Sequence, residues 1–133
     1  MVKLKLDIVA DSRYSFDRKR VREALKKTLG ENGYTEGEIN ISLSVVGDRK
    51  IRELEKKFFN RDEVTDVLSF PMDPPTGEQL GGQASGEGDN LGDIVICYPQ
   101  AKRQAIQWNK LIDEEIEFLA CHGLLHLLGI HHD

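Results

Sequence analysis

Cysteine is scarce in this chain, and long apolar runs are absent. The two cysteines, Cys97 and Cys121, are too few for a disulfide framework, which predicts a reducing, cytoplasmic environment. No apolar run approaches the roughly 18–20 residues that cross a bilayer, so no membrane association is expected. The N-terminal segment MVKLKLDIVA lacks the continuous apolar stretch of a secretory signal. At 133 residues, 39% hydrophobic and 31% charged, the chain is expected to be one soluble domain spanning residues 1–133.

Basic residues are rare in the second half of the chain. Residues 1–61 carry a net charge of +5, and residues 62–133 carry −10. An acidic protein is not expected to coat nucleic acid non-specifically, but a single basic face is enough for a local contact. From charge alone, solvated helix faces are the favoured interpretation.

The first half of the chain predicts two strands, each followed by a helix. Alternating apolar residues place the strands at residues 2–8 and 39–45. The first helix is expected to have Ser15 as its N-cap and to end before Gly30. The second opens at Gly47-Asp48. The inward-facing residues of the two helices are expected to be Val21, Ala24, Leu25, Leu29, Ile51, Leu54 and Phe58.

The second half predicts two more strands and two more helices. Apolar runs at 67–70 and 92–97 are separated by a long Gly- and Pro-rich loop, residues 72–92. Pro99 fits the first turn of a helix that ends near Trp108, and residues 113–128 form the last helix. The order predicts an α+β fold. Its mixed four-stranded sheet is expected to be mostly parallel, with one antiparallel strand, and covered by about four helices.

All four histidines lie in the last twelve residues, and their spacing predicts a metal site. His122 and His126 are four residues apart, so a helix places both imidazoles on one face. Two such nitrogens reach one ion at about 2.0–2.1 Å. Gly129 suits the left-handed position that ends a helix, after which the chain turns back and brings His132 toward the same ion. His131 is the alternative third ligand. Three histidines with one open position are typical of a catalytic zinc site.

The same histidine spacing occurs in the metzincin pattern H-E-x-x-H-x-x-G-x-x-H, with one decisive difference. The glutamate that acts as general base in those zinc proteases is replaced by Gly123 here. Because glycine cannot accept a proton, peptide hydrolysis by that route is not expected.

Three blocks of sequence together make the chain resemble the YbeY family of bacterial endoribonucleases. Residues 65–71, T-D-V-L-S-F-P, and 91–96, L-G-D-I-V-I, form two of the blocks. The third matches the family signature H-G-x-L-H-L-x-G-Y-D-H at His122, Gly123, Leu125, His126, Leu127, Gly129 and His132. The blocks follow the family's order and span nearly the whole chain.

The resemblance implies a Zn²⁺ or similar divalent ion, one per chain, held by His122, His126 and His132. It implies single-strand-specific RNA cleavage in 16S rRNA 3′-end maturation and in ribosome quality control, in the cytoplasm. The implied partners are the 16S rRNA precursor, the small ribosomal subunit and its associated proteins. Such an ion polarises a phosphoryl oxygen or lowers the pKa of bound water to about 7. The nucleophile is either water or the RNA 2′-hydroxyl.

The chain departs from the family pattern at several positions. Phe59 stands where the family usually has an arginine thought to face the substrate, and Arg61 is offset from that position by about 200° on a helix. Ile130 and His131 replace a usual Tyr-Asp pair. The family usually continues past the last histidine, whereas this chain ends at Asp133, which predicts a missing final segment or a natural short form.

The candidates for proton transfer are His131, Glu115 and Asp66. A solvated position near the terminus is the alternative for His131. A hydrogen-bond acceptor for the N–H of a ligand histidine is the alternative for Glu115.

The candidates for substrate contact are Arg61, Thr65, Ser69 and the ring of Phe59. In the alternative interpretation, the two hydroxyls bond the backbone. Phe58 and Phe70 fit core stripes, and Cys121 is expected to be a buried apolar residue.

Three function classes follow from these residues. The first is a metal-dependent endoribonuclease. The second is a non-catalytic, ribosome-associated protein whose metal is structural. The third is a metalloprotease with a base supplied from elsewhere.

Overall fold

The computed structural model describes residues 1–72 and 89–130, which form one mixed β-sheet and four helices. The strands are β1 (Lys3–Ala10), β2 (Glu38–Val46), β3 (Val67–Pro71) and β4 (Asp89–Cys97). Their order across the sheet is β1-β2-β4-β3. Strands β1, β2 and β4 are parallel to one another, and the edge strand β3 runs antiparallel to β4. The predicted mixed sheet with one antiparallel strand is confirmed.

The helices are α1 (Arg18–Glu31), α2 (Asp48–Phe59), α3 (Tyr98–Gln107) and α4 (Ile112–Leu127). Pro99 lies in the first turn of α3, as predicted, where its missing N–H leaves no helical bond unmade. No helix in the described ranges is both long enough and apolar enough to cross a bilayer.

The sheet has a different core on each face. Successive strand residues point to opposite faces. Ile94 and Ile96 of β4 therefore join α1 and α4 in the larger core, while Val95 and Cys97 join Ile51 of α2 in the smaller one. The larger core also contains the predicted alternating residues Val2, Leu4, Leu6, Ile39, Ile41, Leu43 and Val45. As a result, α4 lies on one face of the β3–β4 hairpin and α2 on the other.

The ends of α1 differ from the prediction. Its N-cap is Asp17, whose carboxylate accepts a hydrogen bond from the Arg20 backbone N–H at 3.0 Å. Ser15 lies upstream of the cap, where its carbonyl accepts a bond from Tyr98 Oη at 2.7 Å. Gly30 belongs to the helix, and the left-handed residue after its end is Gly33, with φ +91°. The Asp17 carboxylate, at the correct spacing, is a better acceptor than the Ser15 hydroxyl for the free N–H groups of the first turn.

Two further boundaries and one burial prediction are corrected by the structure. Strand β4 begins at Asp89, three residues before the predicted start, and most of the predicted long loop, residues 73–88, lies outside the described residues. Phe58 is 54% exposed, although the helical stripe placed it inward. The inward position on that turn of α2 is taken by Glu55, which is 2% exposed. Cys121 is half-buried rather than buried, and both cysteines are free.

Candidate functional site

His122 and His126 lie on one face of α4, one turn apart, as their spacing predicted. Their ring centroids are 4.6 Å apart and their planes are inclined by 49°. Both side chains are partly exposed. The Phe118 ring, one turn earlier, stacks on His122 at 6.2 Å and 22°. The two imidazoles therefore form a pair at the surface with an aromatic wall on one side.

The spacing of this pair fits a shared metal ion. When two imidazole nitrogens bind one ion at about 2.0–2.1 Å with tetrahedral angles, the ring centroids lie about 5 Å apart. The separation here is close to that value. Within residues 1–72 and 89–130, no group of three or more His, Cys, Asp or Glu side chains is placed to hold an ion. The predicted third ligand, His132, and its alternative, His131, lie outside the described residues.

Helix α4 ends one residue after the second histidine. Gly129 has φ +82°, the left-handed conformation predicted for it, which non-glycine residues adopt only at a cost. Its N–H donates to the His126 carbonyl at 3.0 Å, and the Ile130 N–H donates to the Leu125 carbonyl at 2.8 Å. These bonds close the helix end at the turn that carries His126.

Gly123, between the two histidines, is packed closely against the sheet. A β-carbon added at this position would lie 2.7 Å from Ile94 Cγ2 and 3.2 Å from Ser69 Oγ. The glutamate of the metzincin pattern would therefore point into the packed interface and not toward an ion. This contact gives a physical reason for glycine here and argues against a protease mechanism with a base at position 123.

The block at residues 65–71 supports α4 from the edge strand. Ser69 Oγ donates a hydrogen bond to the Gly123 carbonyl at 2.9 Å, so its hydroxyl bonds the backbone, as in the alternative interpretation. Thr65 and Asp66 are partly buried just before β3, and the Asp66 carbonyl accepts from the Cys97 N–H at 2.9 Å. The backbone of Asp66 is therefore fixed by the sheet.

Glu115 is fully buried on α4, at 0% exposed. Its Oε1 lies 2.6 Å from the Lys110 ammonium, and its Oε2 accepts from Gln104 Nε2 at 2.6 Å. Both carboxylate oxygens are thus used in joining α3 and the α3–α4 connection to α4. This arrangement matches neither predicted role directly, because the partners are a lysine and an amide instead of a substrate or a histidine.

A model of the family described as Endoribonuclease YbeY matches residues 8–133 of this chain. The chain belongs to the YbeY endoribonuclease family. A Clostridioides difficile protein named Endoribonuclease YbeY is 36% identical over 114 residues, which are 86% of this chain and 71% of that protein. The Aquifex aeolicus protein of the same name is 41% identical over 95 residues, which are 71% of this chain and 57% of that protein.

The fold is also found in a solved structure. The solution structure of TM1509 from Thermotoga maritima aligns with a TM-score of 0.56 over 100% of this chain and 75% of that chain. Its sequence identity to this chain is 24%, so the likeness supports the fold alone.

Phe59, which the sequence resemblance places where the family usually has arginine, is the last residue of α2 and is 44% exposed. Arg61 follows it in the loop, where its Nη1 lies 3.7 Å from Glu63 Oε1. Asn60 between them has φ +55°, so the chain turns sharply and the two side chains leave from different backbone directions. Arg61 is exposed and available for contact, but it does not occupy the place of Phe59.

Phe118, which stacks on His122, and Lys110, which contacts Phe118, were not among the predicted site residues. The Lys110 ammonium is 5.0 Å from the Phe118 ring centroid. Phe118 precedes His122 by four residues and Glu115 precedes it by seven, which places all three side chains on one helix face. That spacing was a usable signal for Phe118. Lys110 lies outside the helix, and no periodicity indicates its contact.

Proposed function

We propose that this chain is a metal-dependent, single-strand-specific endoribonuclease that acts on the 16S rRNA precursor near its 3′ end. The pairing of His122 and His126 at 4.6 Å, in a chain of the YbeY family, carries the proposal. We assign Zn²⁺ to His122, His126 and His132. When bound, the ion supplies Lewis-acid polarisation of the scissile phosphodiester.

The remaining roles are assigned from the contacts that each side chain already makes. We assign proton transfer to the carboxylate of Asp66 and the imidazole of His131. Glu115 is assigned a positioning role, because its two oxygens already hold Lys110 and Gln104. Lys110 is assigned the same positioning role, because its ammonium is paired with the buried Glu115 carboxylate at 2.6 Å.

Arg61, Thr65 and Phe59 are proposed to contact substrate, while Ser69 supports the helix through the Gly123 carbonyl. We further propose that the chain works in the cytoplasm with the small ribosomal subunit and its associated proteins, including in ribosome quality control. The family membership supports these last assignments.

Metal content tests the ligand assignment directly. Elemental analysis of the purified chain is expected to give about one zinc per chain before a chelator and none after it. His126→Ala and His132→Ala are expected to lose the metal, whereas the neighbouring variant His131→Ala keeps it. If His131→Ala loses the metal and His132→Ala retains it, the third ligand is His131. Full metal content in His126→Ala contradicts the site.

Cleavage assays test the activity separately. Wild type is expected to cut a labelled single-stranded RNA, and to leave both its annealed duplex and casein intact. Activity should disappear in His126→Ala and in chelator, and should return when Zn²⁺ is restored. Equal RNA degradation by wild type and His126→Ala would identify a contaminant. Bound zinc without cleavage, together with unfolding of His126→Ala, would favour the non-catalytic ribosome-associated protein instead.

A further inference from the structure

Three phenylalanine rings cluster on the face of β3 opposite α4. Phe70 of β3 lies 5.1 Å from Phe58 in an edge-to-face arrangement, and 5.9 Å from Phe59. Phe58 is 54% exposed and Phe59 is 44% exposed. Two neighbouring aromatic rings that each keep about half of their surface in solvent form an apolar patch of the kind that binds a ligand. We name Phe58, Phe59 and Phe70 the aromatic cluster.

A lysine of α2 lies against this cluster, and Asp93 is the cross-strand neighbour of Phe70. The Lys57 ammonium is 5.3 Å from the Phe58 ring centroid, and Lys56 precedes it on α2. In the described part of the chain, neither lysine has a carboxylate within 4 Å, whereas Arg52 is paired with Asp62 at 2.9 Å. Exposed aromatic rings beside unpaired lysines are the combination that binds single-stranded nucleic acid: bases stack on the rings while the ammonium groups attract phosphates.

The edge strand connects the cluster to the histidines. Ser69 points to α4 and bonds the carbonyl of Gly123, next to His122, while the following residue, Phe70, points to the cluster. Among the described strands, β3 pairs only with β4, so its outer side has no neighbouring strand. Within the described residues, β3 thus has the cluster on one face and the helix of the histidine pair on the other.

We propose that Phe58, Phe59 and Phe70 bind stacked bases of single-stranded RNA, and that the strand crosses the β3 edge to reach His122 and His126. The direction of the RNA, from the aromatic cluster toward the histidine pair, rests on the proposed function. It adds a second contact region on the opposite face of the sheet, with Lys56 and Lys57 at the phosphates. Because stacking requires an unpaired base, this region favours single strands over duplexes and tolerates most sequences.

Binding measured in chelator separates this proposal from catalysis. The probe is a fluorescein-labelled single-stranded RNA of about 12 nucleotides, read by anisotropy in EDTA, with the annealed duplex as a second probe. Phe58→Leu/Phe59→Leu keeps apolar side chains but removes the aromatic faces, and is expected to weaken single-strand binding on the order of tenfold or more. Trp108→Leu is the matched control, since Trp108 is 54% exposed and lies outside the cluster. It is expected to bind as wild type does.

Each outcome decides the question. Unchanged single-strand binding by the double variant, or equal weakening by Trp108→Leu, overturns the proposal. A lowered melting temperature with unchanged RNA binding shows instead that the cluster contributes to packing within this chain. If wild type fails to cleave RNA but its binding depends on the two phenylalanines, the proposed activity fails and the RNA contact stands. If wild type cleaves RNA but its binding does not depend on the two phenylalanines, the proposed activity stands and the RNA contact at the aromatic cluster fails.

Discussion

The Ser69 hydroxyl donates a 2.9 Å hydrogen bond to the main-chain carbonyl of Gly123, which joins the edge strand to the helix that carries both histidines. The same hydroxyl oxygen lies 3.2 Å from where a β-carbon of residue 123 would be. An added β-carbon would press on this hydroxyl and, at 2.7 Å, on Ile94 Cγ2, so glycine allows the helix to approach the sheet. Two motif blocks that are more than fifty residues apart in sequence form one contact in the structure.

Ser69→Ala is expected to destabilise the protein by about 1 kcal/mol. The substitution removes a partly buried hydrogen bond to the Gly123 carbonyl, while that carbonyl can still accept its hydrogen bond within the helix. Urea unfolding measures the change. Ser42→Ala, on the opposite face of β2, is the control and should alter stability by less than about 0.5 kcal/mol. Equal effects of the two substitutions would show that the Gly123 bond contributes nothing.

Gly123→Ala is expected to destabilise by about 1–3 kcal/mol, because the added methyl meets Ile94 at 2.7 Å in a packed interface. Gly30→Ala makes the same substitution in α1, where nothing lies within 4 Å of the new atom. That control should stabilise the protein by about 0.5–1 kcal/mol, since alanine favours the helix. Thermal melts measure the change in stability of both variants. A stabilised Gly123→Ala would contradict the close approach of α4 to β4.

Lys110→Met is expected to cost about 3 kcal/mol, because it leaves the fully buried Glu115 carboxylate without its cation. Lys110→Met/Glu115→Gln should recover part of that loss, since the uncompensated charge is gone. Lys102→Met, on the exposed side of α3, serves as the control and should be nearly neutral. A double variant as unstable as the sum of the two single variants would rule out coupling between Lys110 and Glu115.

Glu55→Gln is expected to stabilise the protein at neutral pH. Burial raises the pKa of Glu55, the adjacent Glu63 carboxyl raises it further, and Arg61 lowers it in part. In the described residues Glu55 Oε2 has no hydrogen-bond partner, so the ionised form is poorly compensated.

The sign of the pH dependence follows from that raised pKa. The folded state holds the Glu55 proton to a higher pH than the unfolded state does, so this group's contribution to stability falls as the pH rises above the ordinary glutamate range. The melting-temperature advantage of Glu55→Gln should therefore grow from pH 4 to pH 8. Glu53→Gln, whose side chain is 58% exposed, should show no such trend. A constant difference across this range would contradict a raised pKa of Glu55.

Local periodicity determined much of this molecule. Alternation of apolar residues gave the inward faces of β1 and β2, because successive side chains of a strand must point to opposite sides. A spacing of four residues placed His122 and His126 on one helix face, and Gly129 took the left-handed conformation that its lack of a side chain permits. These features depend on backbone geometry within a few residues, so the sequence alone was sufficient to predict them.

Only the tertiary structure decided what each face meets. The stripe on α2 pointed Phe58 inward, but in the folded chain Glu55 takes the inward position on that turn and Phe58 is left 54% exposed beside Phe70. Glu115 received Lys110 as its partner from a connecting segment that no periodicity describes. The need for glycine at position 123 came from Ile94, in another strand. Spacing along the chain fixes the direction of a side chain, whereas its partner is set by packing between elements that are distant in sequence.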